Sequence, residues 1–155
     1  NVNVLNFILI ILFPVLLASF RHFVGSDYKN YLIYYKKFNG VNITQFPKPS
    51  LEPLYALLNF VINKIFGGHE FGLFFLTSLL ILLLLVRALR QYKDKVSLPI
   101  GLFIFYMSYY ITSLNIIRQM TAILIVLNAF HGVKKAVKKG IRGGLNIIKK
   151  MFFSF

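Results

Sequence analysis

The chain contains no cysteine, which excludes disulfides and thiolate-held metals from the outset. Acids are nearly as scarce. Among 155 residues only 4 are acidic (Asp27, Glu52, Glu70 and Asp94), set against 18 basic ones. The histidines, His22, His69 and His131, show no ligand spacing, so no metal is expected. No Walker-type glycine loop and no dinucleotide fingerprint occur, so no cofactor is expected either. No nucleophile elbow is present for a Ser-His-Asp set. Paired carboxylates of the glycosidase kind would have to be Asp27 and Glu52, whose separation the sequence does not give.

What the chain does have is hydrocarbon. Hydrophobic residues make up 57% and charged residues 14%, against about 45–50% and about 25% in soluble domains. Mean hydropathy is +0.69. The apolar residues come in long runs, as membrane spans do. The expected fold class is therefore all-α: a polytopic helical bundle in a membrane. The net charge is +14, much of it after His131, in Lys134, Lys135, Lys138, Lys139, Arg142, Lys149 and Lys150. Nucleic acid is one partner for such a segment. Attached to membrane spans, anionic lipid headgroups are the simpler one, and no nucleic acid is expected. Residues 1–131 then form a membrane domain and 132–155 a basic amphipathic tail.

Val4–Phe20 is just long enough to cross, with Pro14 as a tolerable kink. Ser26 and Asp27 start a helix to Phe38, closed by Asn39-Gly40. Its Tyr28, Tyr31, Leu32, Tyr35 and Phe38 share one face, and an interfacial aromatic belt is the default expectation for them. Ser50, Glu52 and Pro53 open Leu51–Phe66, read as a short span or a re-entrant helix. Phe71–Leu89 is the clearest span. Arg87, Arg90, Lys93 and Lys95 follow it and mark that end as cytoplasmic. Leu98–Ile111 crosses outward and Asn115–Phe130 returns, which gives about four spans plus one re-entrant or interfacial helix. Gly140, Gly143 and Gly144 are expected to break the tail, at about 1 kcal/mol each relative to alanine.

Leu114–Ala122 contains the most informative charge. Arg118 sits between two apolar runs, where a charge costs at least about 2.5–3.5 kcal/mol. Ser113-Leu114-Asn115 is a plausible helix break, with Ser113 or Asn115 capping the next helix. Arg118 would then join a helix N-terminus to make an anion site suited to phosphate. The alternative is an arginine snorkelling to headgroups.

Three stretches resemble the EpsG-type exopolysaccharide polymerase family, relatives of the Wzy O-antigen polymerases. They are Arg21 with Gly25-Ser26-Asp27-Tyr28 and Tyr31; Glu52-Pro53-Leu54-Tyr55; and Asn115-Ile116-Ile117-Arg118-Gln119 with Ala122. Ser26 stands where the family usually has threonine, and Leu54 where it has glycine. The resemblance covers about Val4–Phe130, the family's N-terminal part, so the chain looks like a fragment, with activity expected of the full-length parent. It implies glycosyl transfer at the outer face of the bacterial cytoplasmic membrane by a multi-pass protein. The substrate would be a polyprenyl diphosphate-linked oligosaccharide, with membrane lipids and other polysaccharide-assembly proteins as partners. Arg118, Asp27, Glu52 and Arg21 are the candidate catalytic residues; Gln119, Asn115, Tyr28 and Tyr31 are the candidates for binding substrate. The competing readings are a non-catalytic membrane protein that binds anionic lipid or serves as an accessory subunit, and a piece of a transporter.

Overall fold

A computed structural model describes residues 4–42 and 53–152, with side chains over 7–42 and 53–141. Among the described residues all regular structure is helical: α1 Val4–Ser19, α2 Tyr28–Lys36, α3 Pro53–Phe66, α4 Glu70–Gln91, α5 Leu98–Ile104, α6 Tyr110–Asn115 and α7 Ile117–Phe152. A π-helical turn, Phe105–Tyr109, joins α5 to α6. Two helical stretches are long and apolar enough to cross a membrane, Glu70–Gln91 and Ile117–Ile141; Phe7–Ser19 and Pro53–Phe66 are shorter apolar helices.

The centre is α4, which packs against α1, α3, α5 and α7. Its inward face is mostly apolar, with Leu73, Phe74, Thr77, Ile81, Leu82 and Val86 all buried. Thr77 is tolerated there because its hydroxyl donates to the Leu73 carbonyl at 2.7 Å. Helices α1 and α4 run antiparallel. Phe20 meets Phe71 at one end with ring centroids 5.2 Å apart, and Arg90 lies 4.9 Å from the Phe7 ring at the other. Helix α7 runs back along α4, with Asn128 Nδ2 donating to the Leu84 carbonyl at 3.0 Å and His131 edge-on to Tyr92. Arg21, Glu70 and Arg118 therefore share one end of the bundle, and Arg90 and His131 the other.

Pro14 lies inside α1. Lacking an N–H, it leaves the Ile10 carbonyl, one turn earlier, without its helical donor. Tyr106, from the π-helical turn, supplies the missing donor: its hydroxyl reaches Ile10 O at 2.9 Å. Tyr110 makes the next contact, to the Pro14 carbonyl at 2.5 Å. Tyr106→Phe keeps the ring and strands the carbonyl. It is expected to lower stability by about 1–3 kcal/mol, read as a fall in thermal midpoint in detergent; Tyr109→Phe, at a 54% exposed position, is the control that leaves the midpoint unchanged.

Several expectations change at this level. The tyrosine face of α2 does not form an interfacial belt: Tyr28, Tyr31, Tyr35 and Phe38 are buried within the protein. Helix α3 runs alongside α2 and helps to cover that face, with Tyr31 near Tyr55 and Asn63 Nδ2 donating to the Tyr35 carbonyl at 3.2 Å. The tail glycines do not break α7, which continues to Phe152. Positive φ among the described residues is confined to Phe23, Gly25, Gly40, Gly67 and Gly68. Ser50 lies outside the described residues, so its capping of α3 is not visible.

Candidate functional site

The site is built on the interruption between α6 and α7. At Ile116 the backbone leaves the helical region, with φ −111° and ψ 43°, and the last carbonyls of α6 lose their partners. Ser113 does not cap the next helix, because its hydroxyl donates back to the Tyr110 carbonyl at 2.6 Å. The freed carbonyls are taken by side chains from the Arg21–Tyr31 segment instead. Arg21 Nη1 donates to Leu114 O at 2.9 Å, and the Tyr31 hydroxyl donates to Asn115 O at 2.9 Å. The backbone N–H groups of Arg118 and Ile117 also face the Tyr31 oxygen. Tyr31 thus touches both sides of the break.

Gly25 completes the junction. Its φ is +105°, and a Cβ there would overlap the Asn115 side-chain oxygen. Glycine is needed on both counts: L side chains rarely adopt this backbone conformation, and two chain segments pass too closely for a methyl group.

Arg21 is 9% exposed and lies 4.2 Å from the centre of the Phe74 ring. Burial lowers its pKa; nearby Tyr31, Tyr28, Tyr110 and Tyr55 act in the opposite direction. Its Nε and Nη2 are buried without a protein hydrogen-bond partner. Tyr28 stacks on Phe74 at 4.9 Å, and its hydroxyl donates to Glu70 Oε2 at 3.1 Å. Burial and the Glu70 carboxylate raise the Tyr28 pKa. Glu70 also pairs with Lys36 at 2.9 Å. Tyr28 is therefore engaged in tying α2 to the start of α4.

Arg118 is half-buried at the start of α7, with its guanidinium 5.9 Å from the centre of the Tyr55 ring. Together with exposed Gln119 it lines a cleft of about 460 Å³ between α3 and α7. Asp27 is half-buried at the N-cap position of α2 without making a side-chain cap. Its carboxylate accepts from Asn30 Nδ2 at 3.4 Å and contributes, after burial, to raising the Tyr31 pKa. Glu52 lies outside the described residues. Arg21, Tyr31, Asn115 and Arg118 thus converge, Asp27 stands beside them behind Tyr31, Gln119 faces the cleft, and Tyr28 is turned toward Glu70.

Tyr55, Gly25, Tyr110 and Phe74 were missed by sequence reasoning as members of the site. Tyr55 and Gly25 carried a signal, since each lies within one of the three stretches quoted above. Phe74 and Tyr110 carried none, each being one aromatic in an apolar run.

A family model described as EpsG family matches residues 4–142. The chain belongs to the EpsG family. The resemblance carried by the three short stretches is thereby borne out, and the structure gathers the described parts of all three around one helix break. No curated protein and no solved structure matches the chain. As an EpsG-family chain it is a helical protein of membrane type, and membership points to a role related to membrane polysaccharide polymerisation.

Proposed function

We propose that this EpsG-family chain takes part in polymerising lipid-linked glycan repeats at the outer face of the cytoplasmic membrane. The donor is a glycan on a polyprenyl diphosphate and the acceptor is a sugar hydroxyl of a second lipid-linked repeat. The bond between the anomeric carbon and the diphosphate oxygen breaks, and a glycosidic bond forms. The acceptor proton passes to a carboxylate, for which Asp27 and Glu52 are the candidates. Arg118 neutralises the charge that develops on the departing diphosphate. Arg21 is a positioning residue: through Leu114 O it holds the break that presents Arg118. Tyr31 and Asn115 belong to the same support, and Gln119, which lines the cleft, reaches the substrate.

The observation that carries this reading is the position of Arg118, at the first turn of a long helix and on the wall of an apolar cleft. That arrangement suits an anion attached to hydrocarbon. The orientation rests on Arg87, Arg90, Lys93 and Lys95 at the opposite end, which the positive-inside rule assigns to the cytoplasm. Exposed Lys134, Lys135, Lys138 and Lys139 on α7 would add attraction to anionic lipid on that side.

The test supplies membranes containing the chain with lipid diphosphate-linked repeats and follows glycan length by gel. A ladder of products with release of polyprenyl diphosphate is expected. Repeats that stay monomeric while the protein is intact would overturn the assignment in favour of an accessory, non-catalytic subunit.

A further inference from the structure

We propose that the groove between α1 and α4, at the end of the bundle opposite Arg118, binds one anionic phospholipid with its phosphate between Arg87 and Arg90. The groove has a volume of about 350 Å³ and is lined by Phe7 of α1 and by Leu83, Val86, Arg87, Arg90 and Gln91 of α4. Charge and hydrocarbon are separated along it. Arg87 and Arg90, three positions apart, are neighbours on the helix surface. Leu83 lies one turn before Arg87 and is 51% exposed, so an apolar rim continues below the two cations. Helix α4 has 22 residues and is about 33 Å long, close to the hydrocarbon thickness of about 30 Å. Its last turns, which carry both arginines, therefore stand at the level of lipid phosphates.

Neither arginine meets a carboxylate: the ion pair found among the described residues, Lys36 with Glu70, is at the other end of the bundle. Arg90 is nonetheless placed, because its guanidinium rests 4.9 Å from the centre of the Phe7 ring. Two unpaired guanidiniums above a wall of hydrocarbon match a phosphate that carries acyl chains. Lys93 and Lys95 follow in sequence, and the contact of His131 with Tyr92 brings the α7 lysines toward the same end. This surplus of positive charge repels the ammonium of a zwitterionic headgroup and favours a headgroup with net negative charge. Gln91 Oε1 is enclosed without a hydrogen-bond donor. Turning the amide into the groove gives it the headgroup hydroxyl of a phosphatidylglycerol. The exposed lysines of α7 attract any anionic surface, whereas the groove seats a single molecule, because there paired cations border an apolar wall made by two helices.

The test uses the purified chain in detergent and reads retained lipid by native mass spectrometry. The probes are phosphatidylglycerol, phosphatidylethanolamine and soluble glycerol phosphate. One phosphatidylglycerol per chain is expected, bound about tenfold or more tighter than phosphatidylethanolamine, and glycerol phosphate is expected not to displace it. Arg87→Gln combined with Arg90→Gln is expected to weaken phosphatidylglycerol by about tenfold or more. Lys93→Gln combined with Lys95→Gln removes the same charge outside the groove and is expected to leave the affinity within about twofold. A phosphatidylglycerol with a photoreactive acyl chain tests the unaltered protein, should the variants not fold. Label is expected on residues 7–11 and 79–83.

Wild-type affinity in the arginine pair overturns the proposal, and so do equal losses in the two pairs of variants, which would leave a diffuse basic surface. Phosphatidylethanolamine bound as tightly as phosphatidylglycerol overturns it as well. Displacement by glycerol phosphate makes the groove a site for soluble phosphate esters instead, and label confined to α3 or α7 places the lipid elsewhere; both overturn it. Lipid binding at this end requires no glycan transfer, so its failure and the failure of the polymerisation reading are separate results.

Discussion

Arg118→Ala, introduced at its chromosomal locus, is expected to reduce polymer by about 10²–10³-fold, the scale seen when one group stabilising transition-state charge is removed. Protein abundance in the membrane should not change. Arg118 is half-buried, with its guanidinium 5.9 Å from the centre of the Tyr55 ring, so abundance is the readout that separates lost chemistry from lost folding. Arg118→Lys sharpens the test. Lysine keeps the charge and loses the planar fork that binds two oxygens at once. An intermediate polymer yield is expected for a diphosphate ligand. A simple headgroup anchor would tolerate lysine fully, because any cation can snorkel. Immunoblots of membranes read alongside glycan gels decide the matter: a wild-type ladder from the alanine variant removes Arg118 from the reaction.

Gly25→Ala is the largest expected structural effect. The residue has φ +105°, and its added methyl would enter the space of the Asn115 side-chain oxygen. Backbone strain of this kind costs about 1–3 kcal/mol and overpacking a similar amount, so a loss of about 3 kcal/mol or more is expected. The damage should not stay local. Pushing Asn115 away moves the carbonyl that Tyr31 holds and the Leu114 carbonyl that Arg21 holds, and with them the base of Arg118. A second variant separates the two causes. Gly25→Ala combined with Asn115→Ala removes the overlap and keeps the backbone strain, so part of the thermal stability should return. If the double variant is no more stable than the single one, the close approach of these two segments is not what requires glycine.

Much of the helix content was legible because hydrocarbon dictates it. Leu79–Val86, wholly aliphatic, marked a helix long and apolar enough to cross a membrane, and it lies within α4. The tripeptide Ser113-Leu114-Asn115 marked the break to within a residue. Which groups would satisfy that break was not legible, since Arg21 and Tyr31 lie more than eighty residues away in the chain and meet it only through packing. The aromatic period of α2 was equally plain, but a period identifies an apolar face without identifying what covers it. Here α3 and α4 cover it, and lipid does not. The tail glycines misled for a related reason. Their helical cost is real, but a glycine breaks a helix only where the chain gains by taking positive φ, as at Gly67 and Gly68 after α3. Within the site, Arg118 stood out by its charge in an apolar setting, whereas Phe74 is an ordinary member of an apolar run until a guanidinium rests on it.

The pairing of Pro14 with Tyr106 has a bearing on how the protein is made. The carbonyl released at Ile10 and the hydroxyl that answers it are 96 positions apart. A ribosome at about 5–20 residues per second finishes α1 several seconds before its partner exists. Throughout that interval α1 carries a carbonyl without its helical donor. Helix α1 is thus held short of its final state until Tyr106 arrives, and the junction that supports Arg118 is assembled at the same late moment. Assembly of the site and completion of α1 are one event.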